Sequence, residues 1–191
     1  MGITGFERVP LVGLAAVRAA HGARLAALAG RRLTGFAVVR FAEDGDGYAD
    51  CPVVLEFDGR QVEICHWKLD ELHLGWDAID TSAPITGWEW FELTPVWSRT
   101  DDRLAPFLGR QLLETALLEW RPTDRRDLAA GTVAVEFTFT DGSTLRIVNG
   151  LDENLLASGP PDPQYHRHPL PAPDVPDVPD APDVPDVPPG G

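Results

Sequence analysis

The chain is short of positive charge, of sulfur and of unbroken apolar sequence. Its 191 residues include a single lysine, Lys68, and 16 basic side chains in all stand against 30 Asp and Glu, for a net charge of −14. Nucleic-acid binding needs a basic stripe to neutralise phosphates, and so does an anionic membrane surface, so the composition argues against both partners. A basic partner is compatible with it. Two cysteines, Cys51 and Cys65, are too few for a disulfide framework. No stretch approaches the roughly 20 apolar residues of a membrane span. The start, Met-Gly-Ile-Thr-Gly-Phe-Glu, lacks the basic region and apolar block of a signal peptide. These absences together predict a cytoplasmic protein with reduced thiols. There is no Gly-rich phosphate loop, nucleophile elbow or Ser/His/Asp arrangement, and the sequence calls for no cofactor.

What is present is a segment that occurs twice. Arg24-Leu-Ala-Ala-Leu-Ala-Gly-Arg-Arg-Leu33 recurs 79 positions later as Arg103-Leu-Ala-Pro-Phe-Leu-Gly-Arg-Gln-Leu112. Each copy leads to an apolar hairpin, over 52–64 and 133–147, and then to an acidic phrase, Leu69-Asp70-Glu71-Leu72 or Leu151-Asp152-Glu153-Asn154-Leu155. This spacing predicts an internal duplication of a β-rich unit, with repeats over about 24–79 and 103–158. Strands are expected at Leu33–Phe41 and Leu112–Trp120. The second is rich in Leu, Glu and Ala, which alone would suit a helix, so it rests on the match between copies.

Turn chemistry sets the hairpin registers. A two-residue Asp58-Gly59 turn places Leu55 opposite Val62 and Val53 opposite Ile64, so apolar partners share a face. The second hairpin has one residue more. A three-residue Thr140-Asp141-Gly142 turn restores the pattern, with Phe137 opposite Leu145 and Val135 opposite Ile147. Extending the registers puts Cys51 opposite His66 and Val133 opposite Asn149, leaving a polar residue on the inward face at each strand end.

The Ala- and Leu-rich N-terminal stretch predicts a helix to about Ala20 and a second over 23–29, stopped by Gly30. A matching short helix led by Asp101-Asp102 should be stopped by Gly109. Between the copies, Ile85 to Trp97 reads as a strand with Trp88, Trp90 and Glu92 on one face. Residues 1–158 are thus expected as a single globular domain. From Gly159 the chain has little to bury, and from Pro173 it repeats Pro-Asp-Val with a three-residue period matching polyproline II, so 159–191 is expected as a disordered tail. The fold class is mainly β (α+β): two tandem three-stranded units packed as pseudo-symmetric sheets or a partly closed barrel, with short N-terminal helices.

Candidate chemistry is thin. His66, Asp70, Glu71 and His73 lie within eight residues and are the candidates for an acid–base or metal-assisted hydrolytic site, but their spacing fits no zinc template and no metal is assigned. The second copy keeps Asp-Glu and has Asn149 in place of His66. Pairing of the two Asp-Glu phrases with Arg31 and Arg110, which also recur, is the structural alternative. Asn149, Asp152, Glu153, Trp88 and Trp90 are the candidate binding residues. The loop 43–50 has too few carboxylates, and the wrong ending, for a calcium loop.

The phrase Asp50-Cys-Pro-Val-Val-Leu-Glu-Phe57, with Glu63-Ile-Cys-His66 and Leu-Asp-Glu-Leu72, resembles a set of uncharacterised actinobacterial β-rich proteins over most of 24–158. That resemblance implies no activity. The pattern Gly-Arg-x-Leu, strand, Phe-x-Asp-Gly-x-x-Leu-x-Ile is similar to small bacterial β-proteins proposed as immunity or accessory proteins. The favoured expectation is a binding protein that recognises a protein partner, basic in character, through an acidic surface. The alternatives are the small enzyme above and a small-molecule carrier with a cavity between the repeats. Oligomeric state is open.

Overall fold

The computed structural model describes residues 2–87, 92–124 and 126–171. Two antiparallel sheets share one core. The first runs β1 (Leu11–Val12), β5 (Glu71–Trp76), β4 (Arg60–Trp67), β3 (Val53–Phe57), β2 (Leu33–Phe41) and β6 (Pro95–Ser98) across its width. The second runs β10 (Asn154–Ser158), β9 (Thr144–Asn149), β8 (Val133–Phe139), β7 (Leu112–Trp120) and β11 (Tyr165–Leu170). One helix, α1 (Leu14–Ala26), and a 3₁₀ turn, Ala105–Phe107, complete the elements of the described residues. The sheets stay open and do not close into a barrel.

Both hairpins keep the registers their turns dictate. Val53 faces Ile64 and Leu55 faces Val62, while Val135 faces Ile147 and Phe137 faces Leu145. Asp58, Gly59 and Gly142 all have positive φ, as such turns require. β2 and β7 carry the same order of buried and exposed positions along all nine residues, and both have a register irregularity at the same place, before Gly35 and before Glu114. The helical composition of β7 is overridden because a strand there buries Leu112 and Leu117 in the shared core.

The inward faces meet in that core. Leu55, Phe57, Ile64, Phe137, Phe139 and Ile147 are fully enclosed, and the Phe57 and Phe137 rings stack with centroids 5.4 Å apart. Where β2 and β7 begin, the chains clasp each other reciprocally. Gly30 N donates to Leu112 O and Gly109 N to Leu33 O, both at 2.8 Å, and Leu33 N and Leu112 N donate to Arg110 O and Arg31 O. Gly30 and Gly109 reach this position with φ of 85° and 78°, a region open to glycine.

Several expectations are corrected. Each half contributes four strands rather than three, because the acidic phrases open β5 and β10, which pair with β4 and β9. α1 is one continuous helix through Gly22, which is buried close to the Leu170 side chain, and no second helix forms over 23–29. The counterpart helix shrinks to a 3₁₀ turn that starts with Pro at one of its first two positions. In the 85–97 stretch the described strand is limited to Pro95–Ser98, paired with β2, and residues 88–91 lie outside the described residues. The chain past Gly159 does not leave the domain at once. Residues 165–170 pair with β7 as β11 and bury Leu170, because the β7 edge still offers unpaired backbone groups there. Residues 172–191 lie outside the described residues.

Phe137→Ala removes a fully buried ring at the centre of the stack. It should lower unfolding free energy by about 3–5 kcal/mol with the urea m-value unchanged, measured by chemical denaturation.

Candidate functional site

The four residues proposed as one acid–base cluster do not meet. In the β4–β5 ladder His66 pairs with Leu72 and Cys65 with His73, so His66 and His73 stand on opposite faces of the sheet. His66 is buried in the shared core, 1% exposed, with Nε2 3.2 Å from Ile147 O. Burial pushes its pKa down to about 4, so the ring is neutral. His73 lies beneath the N-terminal segment, where its Nδ1 accepts from Val9 N at 3.0 Å and Phe6 packs edge-on against it. Asp70 is exposed, and Glu71 pairs with Lys68 at 2.7 Å. Among the described residues no group of three His, Cys, Asp or Glu is placed to hold a metal ion.

Arg31 and Arg110 do not reach the Asp-Glu phrases. Arg31 donates to Asp58 O, and Arg110 pairs with Asp141 and bonds Ser143. The reason is topological: both arginines sit at the ends where β2 and β7 begin, and the acidic phrases sit at the far ends of the strands. Trp88 and Trp90 lie outside the described residues. Both cysteines are buried free thiols. Burial pushes the Cys65 thiol up to about 11 and the Cys51 thiol higher still, so neither is an activated nucleophile.

What the fold does bring together is the acidic phrases themselves. Asn149 donates from Nδ2 to Lys68 O at 2.7 Å, and its Oδ1 accepts from Asp152 N at 3.0 Å. The turn after β9 is thereby fastened to the turn after β4. Asn154 fastens the 43–50 loop as well. Its backbone N donates to Ala49 O at 3.0 Å, its Oδ1 accepts from His66 N at 2.9 Å, and its Nδ2 donates to Cys51 O at 2.7 Å. Three turns therefore share one end of the sandwich. They present Asp44, Asp46, Asp70, Asp152 and Glu153, all exposed and without an ion pair among the described residues.

Asn154 is also where the two sheets differ. It occupies the position that Leu72 holds in the first sheet, opposite Asn149 as Leu72 is opposite His66. The hairpin β9–β10 is one residue shorter at its turn, where Leu151 and Asp152 both take positive φ, 69° and 76°. The direct Cys51–His66 pairing expected from the register does not form. The Asn154 amide is inserted between the two backbones and bonds to both, and Cys51 N turns to Tyr48 O.

Beside this wedge lies a cleft of about 220 Å³ bordered by Arg40, Tyr48, Asp101, Arg103, Asn154 and Leu156. Asp101 is buried at its floor. Arg103 grips it with Nε at 3.1 Å and Nη2 at 2.8 Å, and Arg40 Nη2 lies at 3.0 Å. Burial alone would raise the Asp101 pKa, but the hydrogen bonds and charge of Arg103, with Arg40 beyond, outweigh it and hold the carboxyl below its usual value. Sequence reading missed Asn154 and the Arg40–Asp101–Arg103 group. Asn154 had a signal, since it breaks the apolar alternation at an inward position. The three charged residues had none, being up to 63 positions apart in an otherwise charged sequence.

Asn154→Ala leaves His66 N and Cys51 O without partners in a buried setting and should cost about 2–4 kcal/mol in chemical denaturation. The pH dependence follows from His66. Its folded pKa lies below the unfolded 6.5, so its contribution is complete above pH 6.5 and is lost as pH falls towards 4. His66 should contribute a drop of about 2 kcal/mol between pH 7.5 and 5, and His66→Gln, which keeps a donor for Ile147 O, should flatten the slope by that amount, leaving the part due to His21 and His73, whose pKa values burial also lowers. Comparison with protein-family models, with curated proteins and with solved structures finds no match.

Proposed function

We propose that the chain is a non-catalytic binding protein that meets a basic protein partner with the acidic end of its sandwich. The observation that carries this reading is the fastening of three acidic turns to one another by Asn149 and Asn154. Five exposed carboxylates held at fixed spacing form a field that a basic surface can match, and the order is built into the monomer rather than acquired on binding. The separation of His66 from His73 weighs against the enzyme reading. The Phe57–Phe137 stack fills the centre between the sheets, so a small-molecule carrier's ligand would have to sit in the marginal cleft beside Asn154.

A cytoplasmic setting, with both thiols reduced, belongs to the same proposal, as does descent of the two sheets from one duplicated unit, supported by the matched clasp bonds. An immunity-type role, in which the partner is a basic toxin, is one form this function takes. Among the described residues no helix is long and apolar enough to cross a membrane.

The test is capture of partners from the source cell at about 50 mM and about 500 mM salt, where the Debye length falls to a few ångströms. A basic protein held at low salt and released at high salt is expected. The variant Asp44→Asn, Asp46→Asn, Asp70→Asn, Asp152→Asn, Glu153→Gln should weaken it at least tenfold, chiefly through slower association, while its circular dichroism stays unchanged. Equal capture by the variant would refute the reading.

A further inference from the structure

The sandwich has two lateral openings, and they are closed unequally. One lies between the β1–β5 side of the first sheet and the β7–β11 side of the second. α1 fills it, packing on β7 and β11, and His21 accepts a 3.1 Å hydrogen bond from Trp76 at the end of β5. The other lies between the β10 edge of the second sheet and β2 of the first. There, among the described residues, the chain supplies the 101–107 segment with its three-residue 3₁₀ turn and, at the Asn154 end, residues 47–51. Clefts of about 220, 260 and 500 Å³ follow this side. The first two share Arg103 and Leu156, and the second and third share Pro106, Phe107 and Ser158, so together they make one groove along β10.

The edge that floors this groove is open. Asn154 N donates outward to Ala49 O, and Glu153 O accepts from Gly150 N on the inward side. Alternation along the strand then turns the N–H and C=O of Leu156 and the N–H of Ser158 outward, away from β9. Ser158 O is taken by Arg146 Nη2. Among the described residues no group meets the outward N–H and C=O of Leu156. β10 is therefore an edge strand with a donor and an acceptor at one residue, a second donor two residues on, and a line of clefts beside it.

We infer that this groove receives an extended segment of the partner protein, which adds to β10 as a sixth strand of the second sheet. Main-chain hydrogen bonds to Leu156 and Ser158 supply the attachment, and side chains lying over Leu156 and Phe107 are small and apolar. The segment leaves β10 at Asn154, whose N–H Ala49 O already holds, and carries basic residues at that end, beside the acidic turns, a part that rests on the acidic-end reading above. Two other occupants fit less well. The chain's own 172–191 stretch has proline at every third position from Pro173 to Pro188, and proline lacks the N–H a ladder needs. A second folded copy pairing through the same edge would bring its own 101–107 segment and 43–50 loop, which flank β10, against those of the first.

Displayed random nonapeptides selected on the full chain test the inference. Selected peptides should place β-branched or small residues at alternate positions, with Arg or Lys at one end. Their binding should slow hydrogen exchange of the Leu156 amide. Ser158→Pro removes an outward N–H that no ladder bond uses, and Ala157 before it is already extended, so the fold is retained. That variant should lose at least tenfold in peptide affinity with its melting temperature unchanged. No selected peptide, or binding that neither responds to Ser158→Pro nor protects Leu156, overturns the inference. So does faster Leu156 exchange on truncation after Pro171, or a dimer abolished by Ser158→Pro, since the groove then belongs to the tail or to a second copy. Peptides sensitive to Ser158→Pro but free of basic residues and indifferent to Asp152→Asn, Glu153→Gln keep the added strand and remove the acidic-end reading instead.

Discussion

Everything in this molecule depends on two apolar sheet faces being held in one register against each other. Neither sheet alone covers Leu55, Phe57, Phe137 or Phe139, and burial of such side chains contributes about 1.5–3 kcal/mol each. Face-to-face packing is non-directional, so something directional has to fix the alignment. The reciprocal backbone clasp between residues 30–33 and 109–112 does this. Arg32 Nη1 donates to Gly109 O at 2.9 Å and Gln111 Nε2 to Gly30 O at 2.8 Å, repeating the same reciprocity with side chains. With the strand starts pinned there, the strand ends are carried to the opposite pole together.

The candidate functional features sit where the two halves cease to be equivalent. Leu72 buries an apolar side chain, whereas its positional counterpart Asn154 brings an amide into the gap between Cys51 and His66. A polar group in that setting is tolerated because its backbone N–H, side-chain oxygen and side-chain nitrogen all have partners. The wedge keeps β3 from extending, fastens the acidic turns at one pole and borders the cleft beside β10. The other lateral opening, filled by α1, shows what the same architecture looks like when that side is closed.

The candidate cluster at His66, Asp70, Glu71 and His73 illustrates how nearness in sequence misleads in a sheet. Seven positions separate the two histidines, but the hairpin between them reverses the chain and sets them on opposite faces. The same reversal carried the Asp-Glu phrases away from Arg31 and Arg110. In contrast, Asn149 reaches Lys68 O across 81 positions because both lie at strand ends on the same pole. The strand at residues 165–170 was hidden for a related reason: His-Arg-His-Pro has no apolar alternation, and it is ordered by the waiting edge of β7 and by ion pairs of Arg167 with Glu114 and Glu136.

Sequence alone determined the hairpin registers, the turn types and the strand character of 112–120, because these follow from local alternation, from glycine and aspartate at the turns and from the match between copies. It also determined the net charge of −14. Tertiary structure alone decided which face each polar residue occupies, that four strands rather than three make each half, that Asn154 replaces a strand pair, and that one lateral opening is left as a groove. Those outcomes depend on contacts between residues up to 103 positions apart, such as Asn154 with Cys51. No local pattern encodes them, because each is settled by competition among all the backbone groups that arrive at the same strand end.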